Sequence, residues 1–176
     1  MTLLAAVTDL LRRRGTRHAV IGAAALAVHG VSRATRDIDL LVADPACLER
    51  PYWEGLEPAT ATVAIYPGAA DDPLAGAVRV RGPAGPPLDV VVGRGSWVAG
   101  VLERATVHEI EGLPVPVVTR ADLVLLKLYA GGPQDAWDIE QLIAEADAAT
   151  LAEVGDRLAA LPEEARRLWQ RIRRGG

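Results

Sequence analysis

Phenylalanine is absent from this 176-residue chain, and cysteine and methionine occur once each. The single Cys47 excludes an internal disulfide, and without a second Cys or a Cys/His cluster there is no structural zinc signature. Cys47 reads as a core filler. No apolar run attains the ~20 residues that a membrane span needs; residues 19–28 are among the longest and fall short. The first residues place apolar side chains ahead of Arg12, Arg13 and Arg14, whereas a secretory signal puts its basic residues first. A cytoplasmic protein with no membrane partner is expected. An excess of positive charge is also missing: 19 basic against 23 acidic residues leave a net charge of −4. The totals therefore give no broad electrostatic footprint for nucleic acid.

Lysine is the scarcest basic residue, since every one of those 19 except Lys127 is arginine. The shortage of Lys and Phe beside abundant Ala, Gly, Pro, Val and Arg is the codon pattern of a GC-rich genome. Where such drift replaces Lys by Arg freely, a retained Lys marks a place that needs a compact ammonium rather than a planar guanidinium. What remains is 50% hydrophobic and 24% charged, the composition of a compact globular domain.

Residues 2–14 have helical spacing, with Leu3, Leu4, Val7, Leu10 and Leu11 on one side. A strand is predicted at 18–21, a glycine turn at Gly22, and a small-residue helix that ends at Gly30. Residues 32–36 read as an exposed loop and 37–42 (DIDLLV) as a strand. A short helix is expected within 46–56 and strands at 60–66, 77–81 and 88–92. Next come a helix at 97–103, a short β excursion at 106–110 and 115–118, and a helix at 120–130 opened by the capping pattern Thr119 to Asp122. Asp135 opens a further helix, another pattern starts near Thr150, and an Arg-rich helix spans 163–174. The organisation is an α/β core at 1–118 followed by a helical part at 119–176.

Chemistry concentrates at few positions. Asp37 and Asp39, at i and i+2 on a strand, point to one face and repel each other unless a cation lies between them. Mg²⁺, or Mn²⁺, suits such a pair, because it takes hard oxygen ligands and shares them with substrate phosphates. Asp89, on a later strand, is a candidate third ligand or proton acceptor. The Gly22-Ala23 turn presents backbone N–H groups to an anion. Each residue also has a plainer reading: a solvated strand edge for the Asp pair, a packing glycine, and a solvated Lys127 on the polar stripe of its helix. Asp135 and Asp138 are explained as an N-cap and a first-turn acid. The same holds of His29 as a helix-end partner, of the C-terminal arginines, and of Trp97, Trp137 and Trp169 as core or interface residues.

The run VIGAAALAVHGVSRATRDIDLLV resembles the signature of the DNA polymerase β-like nucleotidyltransferase superfamily, with a glycine turn, a helix and then D-x-D on the next strand. Within it, the chain is similar to the minimal prokaryotic AbiEii and MenT type, often a component of toxin–antitoxin systems. VVTRADLVLLKLYAGGPQDAWDIEQLI resembles the second block of those proteins, and together the blocks span about residues 18–145.

The resemblance implies an α+β fold, a mixed β-sheet flanked by helices with a helical C-terminal part. It implies Asp37, Asp39 and Asp89 as metal-holding catalytic carboxylates, and Gly22, Ala23 and Lys127 as contacts to a nucleoside triphosphate such as ATP. Asp135 and Asp138 would shape the nucleotide pocket or hold basic side chains in place. Ala23 departs from the usual Ser or Gly and offers no hydroxyl. The implied activity is Mg²⁺-dependent transfer of a nucleotide from an NTP to a hydroxyl of RNA, tRNA, protein or a small molecule. The alternative is a catalytically weak binding module with a cognate toxin or antitoxin as partner. Whichever holds, Lys127→Arg keeps the charge and is expected to weaken triphosphate binding in calorimetric titration; unchanged affinity would make the lone lysine an accident of codon usage.

Overall fold

The computed structural model describes residues 2–32, 37–58, 60–70 and 72–175. Arg33 and Arg36, in the loop predicted before the Asp pair, lie outside the described residues. Helix α1 (Leu3–Arg13) buries Leu4, Val7, Leu10 and Leu11, and Thr2 caps it by accepting from the Ala5 N–H at 3.2 Å. Strand β1 (His18–Ile21) runs directly into α2 (Gly22–Val28). Six strands follow, β2 (Ile38–Val42), β3 (Thr62–Pro67), β4 (Leu74–Arg81), β5 (Leu88–Gly93), β6 (Thr106–Ile110) and β7 (Leu113–Val117).

They form one seven-stranded sheet in the order β3-β4-β5-β2-β1-β7-β6. The pairs β1/β7 and β2/β5 are parallel and the other neighbours antiparallel, so the sheet is mixed, as expected of an α+β fold. Alternation sets its faces: Ile38, Leu40, Val42, Val78, Val80, Leu88, Val90 and Val92 are buried in the core, while Asp39, Arg79 and Asp89 take the opposite parity. Helix α3 (Trp97–Arg104) touches β2. The C-terminal helices are α4 (Arg120–Ala130), α5 (Pro133–Ala144), α6 (Ala148–Arg157) and α7 (Glu163–Gly175); α4 packs against α2, α5, α6 and α7. Among the described residues no helix is long and apolar enough to cross a membrane.

Several local expectations are refined or corrected. The short helix expected within 46–56 takes the form of two 3₁₀ helices, Pro45–Leu48 and Arg50–Trp53. Tyr52 ties it to the chain just past α1 by donating its hydroxyl to Thr16 Oγ1 at 2.6 Å, and within the stretch Trp53 Nε1 donates to the Cys47 carbonyl at 2.8 Å. Helix α5 begins at Pro133, whose fixed φ suits a first helical turn. Gly132 is its N-cap, and Asp135 sits three residues on, accepting from the Gly132 N–H at 3.1 Å. Asp135 is therefore not the N-cap. Trp169 is buried and Trp97 meets Tyr129 edge-on at 5.2 Å, but Trp137 is 49% exposed.

A hydrogen-bonded staple fixes α2 against the C-terminal helices. His29 donates from Nε2 to the Val118 carbonyl at 2.8 Å, and Arg120 donates to the carbonyls of His29 and Leu142 at 2.9 Å each. A second anchor is the fully buried Asp122, which accepts two bonds from Arg104 at 3.0 and 2.7 Å and one from the Thr119 hydroxyl at 2.9 Å. Arg104 is 36% exposed, so losing either partner is not equivalent. Arg104→Met strands a buried carboxylate and is expected to destabilise by about 3 kcal/mol or more. Asp122→Asn leaves an arginine with access to water and is expected to lose about 1–2 kcal/mol. Denaturant unfolding of both variants checks the order; a reversed order would mean that Arg157, 3.5 Å from the same carboxylate, suffices as partner.

Candidate active site

Strand register brings the carboxylates together. Asp39 on β2 faces Asp89 on β5, Asp89 faces Arg79 on β4, and Asp39 faces Ile21 on β1. Residues paired in this way share a face of the sheet with Cβ atoms close enough to interact. Arg79, Asp89, Asp39 and the end of β1 therefore form one rung across four strands, with Asp37 two residues before Asp39.

Gly22 closes the rung. Its φ is +64°, a conformation that L side chains rarely adopt, and a Cβ there would lie 2.1 Å from Asp39 Oδ2. The backbone of the turn thus lies against the Asp39 carboxylate. Ala23, the next residue, is buried.

Charge is dense around Asp39. Its pKa is pushed up to about 6, first by burial and then by the neighbouring Asp89 and Asp37, while Lys127 and Arg79 pull it back. The α4 ammonium is therefore close enough to the rung to be felt by Asp39. Lys127 itself is buried, and its ammonium donates to Asp138 Oδ2 at 2.5 Å and to Asp135 Oδ1 at 3.1 Å. Asp138 is fully buried and pairs there with Lys127. Three donors belong to an ammonium and these pairs engage two, which leaves one for a further oxygen.

Asp89 is held differently. Arg79 donates to both of its oxygens, from Nε at 2.8 Å and from Nη2 at 2.6 Å. Among the described residues no three His, Cys, Asp or Glu side chains are grouped as a ready metal site. The donor chemistry of Asp37 and Asp39 fits a hard divalent cation, whose charge would offset the burial and repulsion that raise the Asp39 pKa. As it stands, Asp89 is engaged by arginine.

Sequence reasoning placed Gly22, Asp39, Asp89 and Lys127 in one neighbourhood, and the structure does bring them together. It missed Arg79. The available signal was a basic residue inside the alternating strand 77–81, opposite in kind to its apolar neighbours Val78 and Val80.

A family profile described as "Nucleotidyltransferase of unknown function (DUF6036)" matches residues 2–171. No curated protein sequence matches the chain at a significant level. Among solved structures, an antigenic nucleotidyltransferase-like protein from Paracoccidioides brasiliensis is similar in fold, with a TM-score of 0.50 at 20% identity over 97% of this chain and 89% of that one. The antibiotic-resistance protein ANT(2'')-Ia, in complex with adenylyl-2''-tobramycin, aligns with a TM-score of 0.48 at 15% identity, covering 97% and 95% of the two chains. The lincomycin-bound lincosamide antibiotic adenylyltransferase LnuA gives 0.47 at 13%, covering 82% of this chain and 96% of its own.

The raised pKa of Asp39 has a consequence for stability. A carboxyl that holds its proton more tightly when folded stabilises the protein below its ordinary pKa, and that contribution is lost as pH rises through about 6. In EDTA, Asp39→Asn is therefore expected to match the wild type at pH 4 and to exceed it by up to about 3 kcal/mol at pH 8. Urea unfolding at the two pH values checks this; equal stability at pH 8 would mean that the charged carboxylate is not penalised.

Proposed function

Because the chain belongs to the DUF6036 family of nucleotidyltransferases, we propose that it transfers a nucleoside monophosphate from an NTP such as ATP to an acceptor hydroxyl, dependent on Mg²⁺ or Mn²⁺. The observation that carries this reading is the rung, where a half-buried Asp39 stands beside Asp89 and Asp37 and within the field of Lys127. Acidic groups gathered there against their own repulsion are suited to a cation and a triphosphate.

In this reading Asp37 and Asp39 hold the cation, and Asp89 is the third carboxylate. A bound Mg²⁺ would neutralise phosphate charge and orient the α-phosphate. Lys127 offers its remaining N–H to a phosphate oxygen, while Asp135 and Asp138 fix where the ammonium points. The Gly22-Ala23 backbone flanks the phosphates without a side-chain hydroxyl. The acceptor hydroxyl gives its proton to Asp89 or to water as its oxygen bonds to the α-phosphorus, the bond from that phosphorus to the α–β bridging oxygen breaks, and pyrophosphate leaves with the electron pair. Positioning and charge neutralisation supply most of the rate, since phosphoryl transfer leaves little covalent work to side chains. Residues 1–118 contribute the carboxylates and residues 119–176 the ammonium.

The narrower likeness to the AbiEii and MenT type draws its support from the two sequence blocks. With it go a cytoplasmic location, where NTPs are abundant, and an RNA, tRNA or protein acceptor. The missing hydroxyl at Ala23 favours the second reading, a weakly catalytic module that binds a cognate toxin or antitoxin.

Incubation with each α-labelled NTP and cellular extract separates the two. Transferase activity is expected to move label from α-labelled but not γ-labelled NTP into RNA, protein or a small molecule, and Asp39→Asn to reduce this on the order of 10²-fold or more. No transfer of label by the wild type from any NTP would leave the binding-module reading.

A further inference from the structure

One ion pair on the rung is held at two points. Arg79 engages both oxygens of Asp89, the third carboxylate, from the facing position on the neighbouring strand. The two side chains differ in accessibility, 40% exposed for Arg79 and 19% for Asp89. Across β4, Arg79 has the small Ala64 of β3 as its register partner. A cation drawn to Asp39 competes with this arginine for the oxygens of Asp89, because register places the two carboxylates side by side.

Building on the transferase reading above, we propose that Arg79 is an exchangeable counter-ion that keeps Asp89 from the cation until a triphosphate arrives. The planar fork of a guanidinium fits phosphate as well as carboxylate. A triphosphate beside the rung gives Arg79 a second partner of the same geometry and more negative charge. Arg79 turns to the phosphates, and Asp89 is released to join Asp39. Cation and nucleotide then assemble together: the bare protein holds the cation weakly, and neither ligand reaches full affinity without the other. Arg79 is a positioning residue in the first state and a phosphate contact in the second.

The proposal predicts changes of opposite sign in one variant. In Mn²⁺ titrations of the full chain without nucleotide, followed by electron paramagnetic resonance, Arg79→Gln is expected to bind Mn²⁺ about 5-fold or more tighter than wild type. In EDTA, the same variant is expected to bind the non-transferable analogue α,β-methylene-ATP more weakly by a similar factor. Arg81→Gln removes the same charge from the same strand without touching Asp89, and is expected to leave both affinities within about 2-fold of wild type. Should Arg79→Gln fail to fold, Arg79→Lys carries the test, since an ammonium lacks the planar fork that matches both carboxylate oxygens in parallel. Mn²⁺ binding by the Arg79 variant no tighter than by Arg81→Gln overturns the counter-ion role alone. A wild type whose Mn²⁺ binding is undetectable, or unaffected by Asp39→Asn, overturns the metal-pair reading and this proposal with it.

Discussion

Asp39 and Asp89 stand side by side on adjacent parallel strands, and the repulsion between them dictates what surrounds them. Two like charges on a partly desolvated surface persist only where positive charge or polar backbone is brought close. The structure brings both. Arg79 comes from the neighbouring strand β4, Lys127 from helix α4, and the turn at Gly22 lies so close that only a residue without a Cβ fits beside Asp39.

Holding Lys127 there requires more than its own helix. Its ammonium is buried, which is tolerable only because Asp138 and Asp135 pair with it. Those carboxylates come from α5, whose start is set by Gly132 and Pro133 and whose position is tied to α2 through Arg120. The staple from His29 and Arg120 thus links the glycine turn and the lysine helix, the two pieces that would flank a triphosphate. At the other end of α4, the Asp122 to Arg104 pair fixes the helix start against α3. Electrostatic order in this molecule extends well beyond the carboxylates themselves.

Much of this was legible beforehand where the determinant is local. The capping pattern at Thr119, the alternation in DIDLLV and the glycine at the strand-to-helix turn each express backbone sterics or short-range hydrogen bonding, and the matching elements are present at 120–130, 38–42 and 22–28. In the stretch 46–56 a short helix was legible but its division into two 3₁₀ helices was not, and Tyr52 there is bonded to the distant Thr16. Asp135 misled by one turn, since Pro133 and Gly132 set the helix start and left the aspartate free to serve both the cap and Lys127.

The sequence by itself determined which groups are available: a glycine turn, an Asp pair on one face of a strand, one lysine on a capped helix, and the order in which they occur. Those follow from side-chain periods of 2 and 3.6 and from the few residues that tolerate a positive φ. Tertiary structure alone decided who meets whom. Arg79 lies ten positions before Asp89 and Arg104 eighteen before Asp122, and only strand register and helix packing bring those charges into contact. Pairing across a sheet depends on which strands become neighbours, a choice made by burial of the whole core rather than by any short stretch of chain.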